Sequence, residues 1–368
     1  MKLLQQELLK MGKNESQIIA ANFESFEFSE INSAQKLYGF IKEKITRKQK
    51  YYLLLDEIQE VSEWEKAINS FLADFDVDIY LTGSNSHLLS SELATYLTGR
   101  YVEFQIFTLS YNEFLDFRAC YLPAQSNNFT EYLRFGGFPV IHTADYQDET
   151  AYKVVYDIYS SVILRDTVQR YNIRDVELLE RVVKYTFDNI GNVFSGKNIA
   201  DFFKSQQRKI DVNTVYNYLH ALEGAFILFR VPRYDIKGKE ILKTQEKFYL
   251  GDISLLYATM GYRDRLIGGI LENIVFLELK RRGYQVFVGK YDTREIDFVA
   301  EKRNQKIYIQ VAYKLDSAQT VEREFSVLQA INDNFPKYVV TMDEFWKEDI
   351  GGIKHLHIAD FLQLKSLF

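Results

Sequence analysis

The stretch YYLLLDEIQEV, residues 51–61, decides the fold of this chain. Its apolar run Tyr51–Leu55 is followed directly by two carboxylates, Asp56 and Glu57. An unbroken apolar run of this kind predicts a strand in the middle of a parallel sheet, covered on both faces. Ligands bind beyond the carboxyl ends of such strands, so the two acids lie where a binding site is expected. The alternative is a strand that simply ends in solvated acids.

The segments around this strand alternate between helical and extended patterns. Helices are predicted at Met1–Met11, Ala34–Ile45 and Trp64–Leu72, and strands at Ile18–Phe28 and Val77–Gly83. Such alternation implies a parallel α/β sheet.

Length and composition restrict the class of protein. At 368 residues the chain is long enough for two or three domains. A net charge of −6 argues against a generally basic nucleic-acid binder. The single cysteine, Cys120, excludes an internal disulfide and a Cys-rich zinc site, which favours a reducing compartment. Neither a signal peptide nor an apolar run of ~18 residues is present, so we expect a cytoplasmic protein without a membrane partner.

Two carboxylates at the end of a central strand suit nucleotide hydrolysis. Asp56 would hold Mg²⁺, directly or through water, and Glu57 would orient the attacking water. Ser84 and Asn85 follow the neighbouring strand and are candidate sensors of the γ-phosphate, although both are also favoured helix N-caps. Arg100 is a candidate arginine finger acting across a homo-oligomer, with a surface salt bridge as the alternative.

Four blocks of the sequence, in this order, carry a family resemblance. They are LLLDEIQEV at 53–61, YLTGSNSHLLSSELATYLTGRY at 80–101, TLSYNEFLDF at 108–117 and YLRFGGFPV at 132–140. Together they resemble the AAA+-type ATP-binding family that carries a C-terminal domain of unknown function related to PD-(D/E)XK nucleases. The resemblance runs end to end, identifies DEIQE as a Walker B motif, and implies ATP and Mg²⁺ as cofactors.

The sequence departs from that family at its beginning. Family members start with a strand and a glycine-rich phosphate loop, but no G-x-x-x-x-G-K-[ST] exists in this sequence. Losing three charge-assisted contacts to phosphate would remove about 5 kcal/mol, which takes a micromolar site past millimolar. We therefore expect this chain neither to bind ATP tightly nor to hydrolyse it. A late start codon, a truncated gene and a true pseudo-ATPase would all give this sequence. We also expect the Asp56 strand to lose a neighbour and expose an edge.

The predicted fold class is a multidomain α/β protein with a truncated P-loop NTPase-like sheet. The resemblance and the helical patterns together predict four domains. These are an AAA+ core without its phosphate loop (1–109), a helical lid (110–174), a winged helix (175–260) and a restriction-endonuclease-like, PD-(D/E)XK nuclease-like α/β domain (261–368).

The predicted winged helix is a candidate DNA-binding module. Residues 191–250 contain ten Lys and Arg against six Asp and Glu. The candidate DNA-binding residues surround the third helix, Val212–Leu222 with Asp211 as N-cap, or lie in the hairpin turn that follows: Lys204, Arg208, Lys209, Thr214, Asn217, Tyr218, Lys237 and Lys239. The alternative is that the hairpin packs on the lid, the lysines are merely solvated, and the module contacts protein.

The last domain carries part of a nuclease pattern. Glu272 and Asp297 fit two of the expected metal ligands, but Gln310 stands where a second acid belongs and Ala312 where the lysine belongs. Lys314 lies two residues further along the same strand face. The sequence therefore favours a binding relic over an active nuclease. His355 and His357 alternate on one strand face, where ordinary surface is favoured over a metal site.

Three functions stay open at this point. The leading hypothesis is an AAA+ ATPase-like protein with an incomplete nucleotide site and nucleic-acid-binding-like C-terminal modules. The second is a non-enzymatic DNA- or protein-binding scaffold, and the third is an ATP-regulated, Mg²⁺-dependent nuclease.

Overall fold

The computed structural model describes residues 1–46, 49–84, 100–121, 128–144, 146–261, 266–344 and 349–368. The chain divides into two compact units, residues 1–105 and residues 106–368. In the described residues each unit has its own sheet.

The first unit is a parallel sheet with helices on its faces. Its elements are α1 (Lys2–Lys10), β1 (Ile18–Asn22), α2 (Ala34–Lys44), β2 (Tyr51–Asp56), α3 (Trp64–Asp74) and β3 (Val77–Leu81). The strand order is β1-β2-β3, and both pairings are parallel. The central, parallel position predicted for the strand that ends in Asp56 is confirmed. The predicted strand Ile18–Phe28 is shorter than expected, because a 3₁₀ turn replaces its end at Phe26–Phe28.

The two faces of β2 are covered by different helices. Leu53 and Leu55 pack into a core formed with α2 and α3. Tyr52 and Leu54 lie on the other face and pack against Leu8 of α1. Burying each leucine is favourable by roughly 1.5–3 kcal/mol, which explains why an uninterrupted apolar run was needed here.

The edge of this sheet is not where the sequence predicted it. The expectation that the Asp56 strand would lose a neighbour is wrong, because β2 is paired along both sides. In the residues described for this unit, β3 forms one end of the sheet, and it is half-buried along its whole length.

The second unit begins with helices and continues as a mixed sheet covered by further helices. A π-helical segment, Ile158–Leu164, joins the third of these helices to the fourth. The helices are α4 (Tyr111–Tyr121), α5 (Asn128–Phe135), α6 (Asp148–Asp157), α7 (Arg165–Arg170), α8 (Val176–Asp188), α9 (Gly196–Ser205), α10 (Val212–Gly224), α11 (Ser254–Met260), α12 (Ile267–Arg281), α13 (Ala318–Gln329) and α14 (Ile358–Gln363).

The strands of this unit form a single sheet in the order β11-β10-β9-β8-β7-β5-β6-β4. They are β4 (Val193–Phe194), β5 (Leu228–Asp235), β6 (Glu240–Leu250), β7 (Gln285–Tyr291), β8 (Arg294–Lys302), β9 (Gln305–Val311), β10 (Lys337–Thr341) and β11 (Lys354–His357). One face packs with α12 in a core that includes Phe276 and Phe298, and the other packs with α13 through Phe325 and Leu328.

This sheet crosses the predicted boundary between residues 260 and 261. The hairpin β5–β6, predicted as the wing of a separate domain, pairs through β5 with β7 in parallel, with Arg233 opposite Val288. Predicted domains 175–260 and 261–368 therefore share one sheet and one compact unit. The predicted hairpin turn is present, and Asp235 Oδ1 accepts hydrogen bonds from the amides of Lys237 and Gly238 at 3.0 and 2.9 Å.

The two glycines of YLRFGGFPV have a close-packing role. Gly136 has a left-handed φ of 64°, and a Cβ there would lie 1.9 Å from Asp252 Oδ1. The amide of Gly137 donates to Asp252 Oδ2 at 2.8 Å. The block thus joins the end of α5 to the start of α11. None of the helices that the structure describes is both long and apolar enough to span a bilayer.

Candidate functional site

Asp56 and Glu57 lie at the carboxyl end of the central strand of the first unit. Asp56 is the last residue of β2, and Glu57 follows with a left-handed backbone, φ 54° and ψ 49°. The hydroxyl of Thr82 donates to Asp56 Oδ1, and the amide of Glu57 donates to Thr82 Oγ1 at 3.2 Å. Thr82 was not among the predicted site residues, although a hydroxyl directly after the neighbouring strand was a usable signal.

The acid pair offers oxygen atoms of the kind that hard cations bind. Both acid side chains are half-buried, and Gln59 Nε2 donates to Glu57 Oε2 at 2.5 Å. Carboxylate and hydroxyl oxygens are the ligands that Mg²⁺ prefers. The residues present therefore fit Mg²⁺ at Asp56, with Glu57 held in place beside it.

Of the other residues predicted for the nucleotide site, the structure describes two and leaves one outside the described residues. Ser84 is exposed three residues after β3, and Asn85 lies outside the described residues. Arg100 is exposed. The sensor and arginine-finger roles of these residues stay predictions.

A second cluster of charged side chains is formed by two strands and one helix of the second unit. We call it the Lys247 cluster, formed by Lys247 of β6, Glu272 of α12, and Glu295 and Asp297 of β8. Lys247 Nζ lies 3.0 Å from Glu272 Oε2, 2.8 Å from Glu295 Oε1 and 3.4 Å from Asp297 Oδ1. Tyr249, two residues along β6, donates its hydroxyl to Glu272 Oε2 at 2.7 Å.

Burial raises the pKa values of two acids in the Lys247 cluster, whereas the charges of the acids raise the pKa of the lysine. Burial raises the pKa of Glu272, and with the nearby charge of Glu272 it raises the pKa of Asp297 to about 8. Burial alone would lower the pKa of Lys247, but the carboxylates of Glu272, Asp297 and Glu295 outweigh it and raise that pKa. Three carboxyl groups share one ammonium, so the folded state favours holding an additional proton on the acids.

The structure brings Glu272, Asp297 and Gln310 together but places Lys314 elsewhere. Gln310 Oε1 accepts from the amide of Asp297 at 2.9 Å, and its Nε2 donates to Glu324 Oε2 at 2.9 Å. Lys314 is exposed, with Nζ 5.3 Å from the Tyr313 ring, and lines a cavity of about 340 Å³. The lysine that meets the acids is Lys247.

Sequence reasoning missed Lys247 because it stands on a strand assigned to a different domain. The available signal was a lone lysine in the apolar end of β6, EKFYL, on the same strand face as Tyr249.

The predicted DNA-binding residues lie around α10. Asp211 caps this helix by accepting from the amide of Asn213 at 2.8 Å, as predicted. Tyr218, expected to face a groove, is instead buried and donates to Asp175 O at 3.3 Å, because it lies on the core face of α10. The remaining candidates are exposed except for Thr214, which is half-buried: Lys204, Arg208, Lys209, Asn217, Lys237 and Lys239.

Two of these cations already have acidic partners. Arg208 Nη2 lies 3.1 Å from Glu177 Oε1, and Lys237 Nζ lies 2.7 Å from Asp292 Oδ2. The basic excess counted in the sequence is therefore larger than the charge that faces solvent.

The histidines of β11 are not ordinary strand surface. His355 is buried, with Nε2 2.8 Å from Thr341 Oγ1. His357 Nδ1 accepts from the amide of Ala359 at 3.2 Å and caps α14. In the described residues no group of three or more His, Cys, Asp or Glu side chains has the arrangement needed to hold a metal ion.

An α/β sheet with an acid pair at the end of its central strand agrees with the comparisons with known families. The model of the AAA domain matches residues 1–115, and models of two domains of unknown function, DUF8612 and DUF4143, match residues 126–266 and 267–359. The chain therefore belongs to the AAA-like family that carries these C-terminal domains, and this part of the predicted resemblance is confirmed. The relationship of the last domain to PD-(D/E)XK nucleases stays a prediction.

The relatives of the chain match it over most of its length. It is 37% identical to an uncharacterized protein of Haemophilus influenzae, over 96% of this chain and 88% of that protein. An uncharacterized protein of Methanocaldococcus jannaschii is 32% identical, over 92% of this chain and 79% of its own length. Among solved structures, a Walker-type ATPase of Pyrococcus abyssi superposes with a TM-score of 0.41 at 13% identity, over 70% of this chain and 75% of that chain.

Proposed function

We propose that the first unit is a nucleotide-hydrolase core in which Asp56 binds Mg²⁺ and Glu57 orients the attacking water. The observation that carries this proposal is the acid pair at the end of β2, tied to the neighbouring strand by the hydroxyl of Thr82. Bound Mg²⁺ would neutralise charge on the nucleotide phosphates. Glu57 accepts a hydrogen bond from Gln59, which limits the positions that its carboxylate adopts.

The same proposal includes weak nucleotide binding by the chain 1–368. Its sequence contains no G-x-x-x-x-G-K-[ST], the element that supplies backbone amides and a lysine to the phosphates. Asp56 and Glu57 would contact the nucleotide only through a cation and a water. Their negative charges repel a triphosphate that carries no cation. The family relationship makes ATP and Mg²⁺ the ligands to test.

An equilibrium titration with a fluorescent ATP analogue and Mg²⁺ tests this proposal. We expect a Kd of about 1 mM or weaker for the unmodified chain, since roughly 5 kcal/mol of phosphate contacts is missing. Weaker binding still is expected for Asp56→Ala. Low-micromolar affinity would contradict the weak-binding part, and affinity unchanged in Asp56→Ala would contradict the assigned role of Asp56.

We propose nucleic-acid binding by the second unit as a second candidate function. α10 exposes Asn213, Tyr216 and Asn217 on one face, and the exposed lysines Lys204 and Lys209 precede it. Amide side chains on a helix beside basic residues suit contacts to base edges and phosphates. A face of this kind also suits a protein partner, which is the competing scaffold hypothesis.

Fluorescence anisotropy with a labelled DNA duplex separates these possibilities. We expect binding that weakens about tenfold or more between 50 and 200 mM salt, because phosphate contacts release counterions. Lys204→Glu with Lys209→Glu should weaken it further. The matched control, Lys354→Glu with Lys365→Glu, changes two exposed lysines of the same unit by the same charge. Equal loss in both double variants, or no binding at 50 mM salt, would contradict the proposal and favour a protein partner.

A further inference from the structure

The geometry points to Lys247 occupying the place of a metal ion in the nuclease-like acid site, so that the Lys247 cluster is an ion group with a buried cationic centre that takes no divalent cation. The resemblance implied Mg²⁺ at Glu272 and Asp297. The residues present do not fit that ion, because the space between the acids is filled by an ammonium group supplied by β6.

The distances match an ammonium group and not a metal. The contacts of Lys247 Nζ with its three carboxylates span 2.8–3.4 Å. Mg²⁺ requires oxygen ligands at about 2.0–2.1 Å, and Ca²⁺ at about 2.3–2.6 Å. The carboxylates are thus held back at hydrogen-bonding distance from a charged nitrogen.

Protein atoms surround Lys247 and Asp297, whereas Glu295 lies at the edge of the cluster with its side chain 35% exposed. The side chain of Lys247 is only 3% exposed. Asp297 Oδ2 accepts from the amide of Val311 at 2.9 Å, so both of its oxygens have protein partners. A Cβ at Gly191 would lie 2.8 Å from Gly269 Cα and 3.4 Å from Glu272 Oε2, which shows how closely this backbone covers the acids.

The position of Gln310 supports the same conclusion. A metal site would use a carboxylate there. The oxygen of Gln310 instead accepts a hydrogen bond from the amide of Asp297, and its nitrogen donates one to Glu324. A neutral amide leaves the cluster with three carboxyl groups, and one ammonium with one shared proton reduces their net charge from −3 to −1. A divalent ion placed among these acids would lie within a few ångströms of the Lys247 ammonium, and the two positive charges would repel each other.

Removing the ammonium should convert the cluster into a cation site. Lys247→Met keeps an unbranched side chain of similar length and leaves the three carboxylates, two of them largely buried, without a counter-ion. Small movements of the acids toward the vacated centre would bring their oxygens within reach of a metal.

Mn²⁺ titration followed by electron paramagnetic resonance tests the inference on the full chain. In the unmodified protein and in Asp297→Asn, we expect the same Mn²⁺ binding curve within twofold. In Lys247→Met we expect at least tenfold tighter Mn²⁺ binding, lost again in Lys247→Met with Asp297→Asn. Mn²⁺ bound at other sites contributes equally to both proteins in each comparison, because they differ only at Asp297 or Lys247.

Two results would overturn the inference. One is a micromolar Mn²⁺ site in the unmodified protein that disappears in Asp297→Asn. The other is a Lys247→Met chain with native circular dichroism and cooperative melting that gains no Mn²⁺ site. If Lys247→Met does not fold, the comparison of the unmodified protein with Asp297→Asn still decides. Lys247→Arg then serves as the charged variant, and it should bind no more Mn²⁺ than the unmodified protein.

Discussion

At the scale of single residues, Glu57 follows Asp56 with a strained backbone. Its left-handed φ of 54° costs a non-glycine residue about 1 kcal/mol or more. The surrounding contacts hold it there, because Ile58 is fully buried and its amide donates to Thr82 O at 3.1 Å. Strain that is retained at the end of a central strand is common at functional positions, which agrees with the proposed role of Glu57.

Replacing Glu57 separates this strain from the chemistry of the carboxylate. Glu57→Gly relieves the left-handed strain, whereas Glu57→Ala removes the same carboxylate and keeps the strain. We expect Glu57→Gly to be more stable than Glu57→Ala by about 0.5–1 kcal/mol, after allowing for the greater unfolded-state freedom of glycine. Urea unfolding followed by circular dichroism measures the difference. Equal stability of the two variants would mean that position 57 is not strained.

The Lys247 cluster should give the protein a characteristic pH dependence. The pKa of Asp297, raised by burial and by Glu272 to about 8, exceeds its ordinary value of 3.8. Between these values the folded state holds a proton that the unfolded chain has released, so the free energy of unfolding falls as the pH rises. The slope from one such group is at most about 1.4 kcal/mol per pH unit.

Asp297→Asn tests this dependence because it removes the titrating group. From pH 5 to pH 8, the free energy of unfolding of the unmodified protein should fall relative to that of Asp297→Asn. The exposed Asp316 supplies the control, since Asp316→Asn removes the same charge from the same unit. Parallel pH profiles for the unmodified protein and Asp297→Asn would show that Asp297 titrates normally.

At the scale of elements, the joint between α5 and α11 depends on a glycine that tolerates no side chain. A Cβ at Gly136 would lie 1.9 Å from Asp252 Oδ1, and its φ of 64° disfavours any other residue. We expect Gly136→Ala to destabilise the second unit by about 3 kcal/mol or more, because Asp252 is buried and hydrogen-bonded to Gly137 and Ser254.

Gly268→Ala is the matched control for this prediction. It makes the same change in the first turn of α12, where nothing lies within 4 Å of an added Cβ. It should leave the melting temperature nearly unchanged or raise it slightly. A loss in Gly136→Ala no larger than that in Gly268→Ala would mean that the joint accommodates a methyl group.

Individual helices and strands could largely be predicted from the sequence, because residues close together in the chain determine them. The buried run 51–55 predicted β2, and Asp211 predicted the start of α10. The acid pair followed from the strand that precedes it. Such features depend on residues within a few positions of each other, which periodicity and capping report directly.

The pairing of strands that lie far apart in the sequence could not be predicted in the same way. In the described residues β6, α11 and α12 lie between β5 and β7, and no local pattern specifies that Arg233 pairs opposite Val288. The Lys247 cluster was missed for the same reason, since its lysine and its acids come from three separate elements. The open edge was misplaced because β2 pairs with β1 on one side and β3 on the other, so in the described residues it does not lie at an end of the sheet.

At the scale of the whole molecule, the second unit is built around a single sheet. Its sheet runs through strands from residues 193 to 357, and one core includes residues from Tyr111 to Leu367. The fragment 106–368 contains all of these elements. A fragment beginning at residue 261 would lose β5 and β6 and, with them, the lysine that balances the buried acids.

We therefore expect fragment 106–368 to fold and fragment 261–368 to fail. The longer fragment should show native-like circular dichroism and cooperative urea unfolding. The shorter one should lack a cooperative transition, because the β5-facing edge of β7 is unpaired and Glu272 and Asp297 are buried without Lys247. Adding Lys247→Arg to the longer fragment keeps the charge and should preserve its transition. Cooperative unfolding of fragment 261–368 alone would mean that the C-terminal strands form an independent domain and that the shared sheet contributes little to their stability.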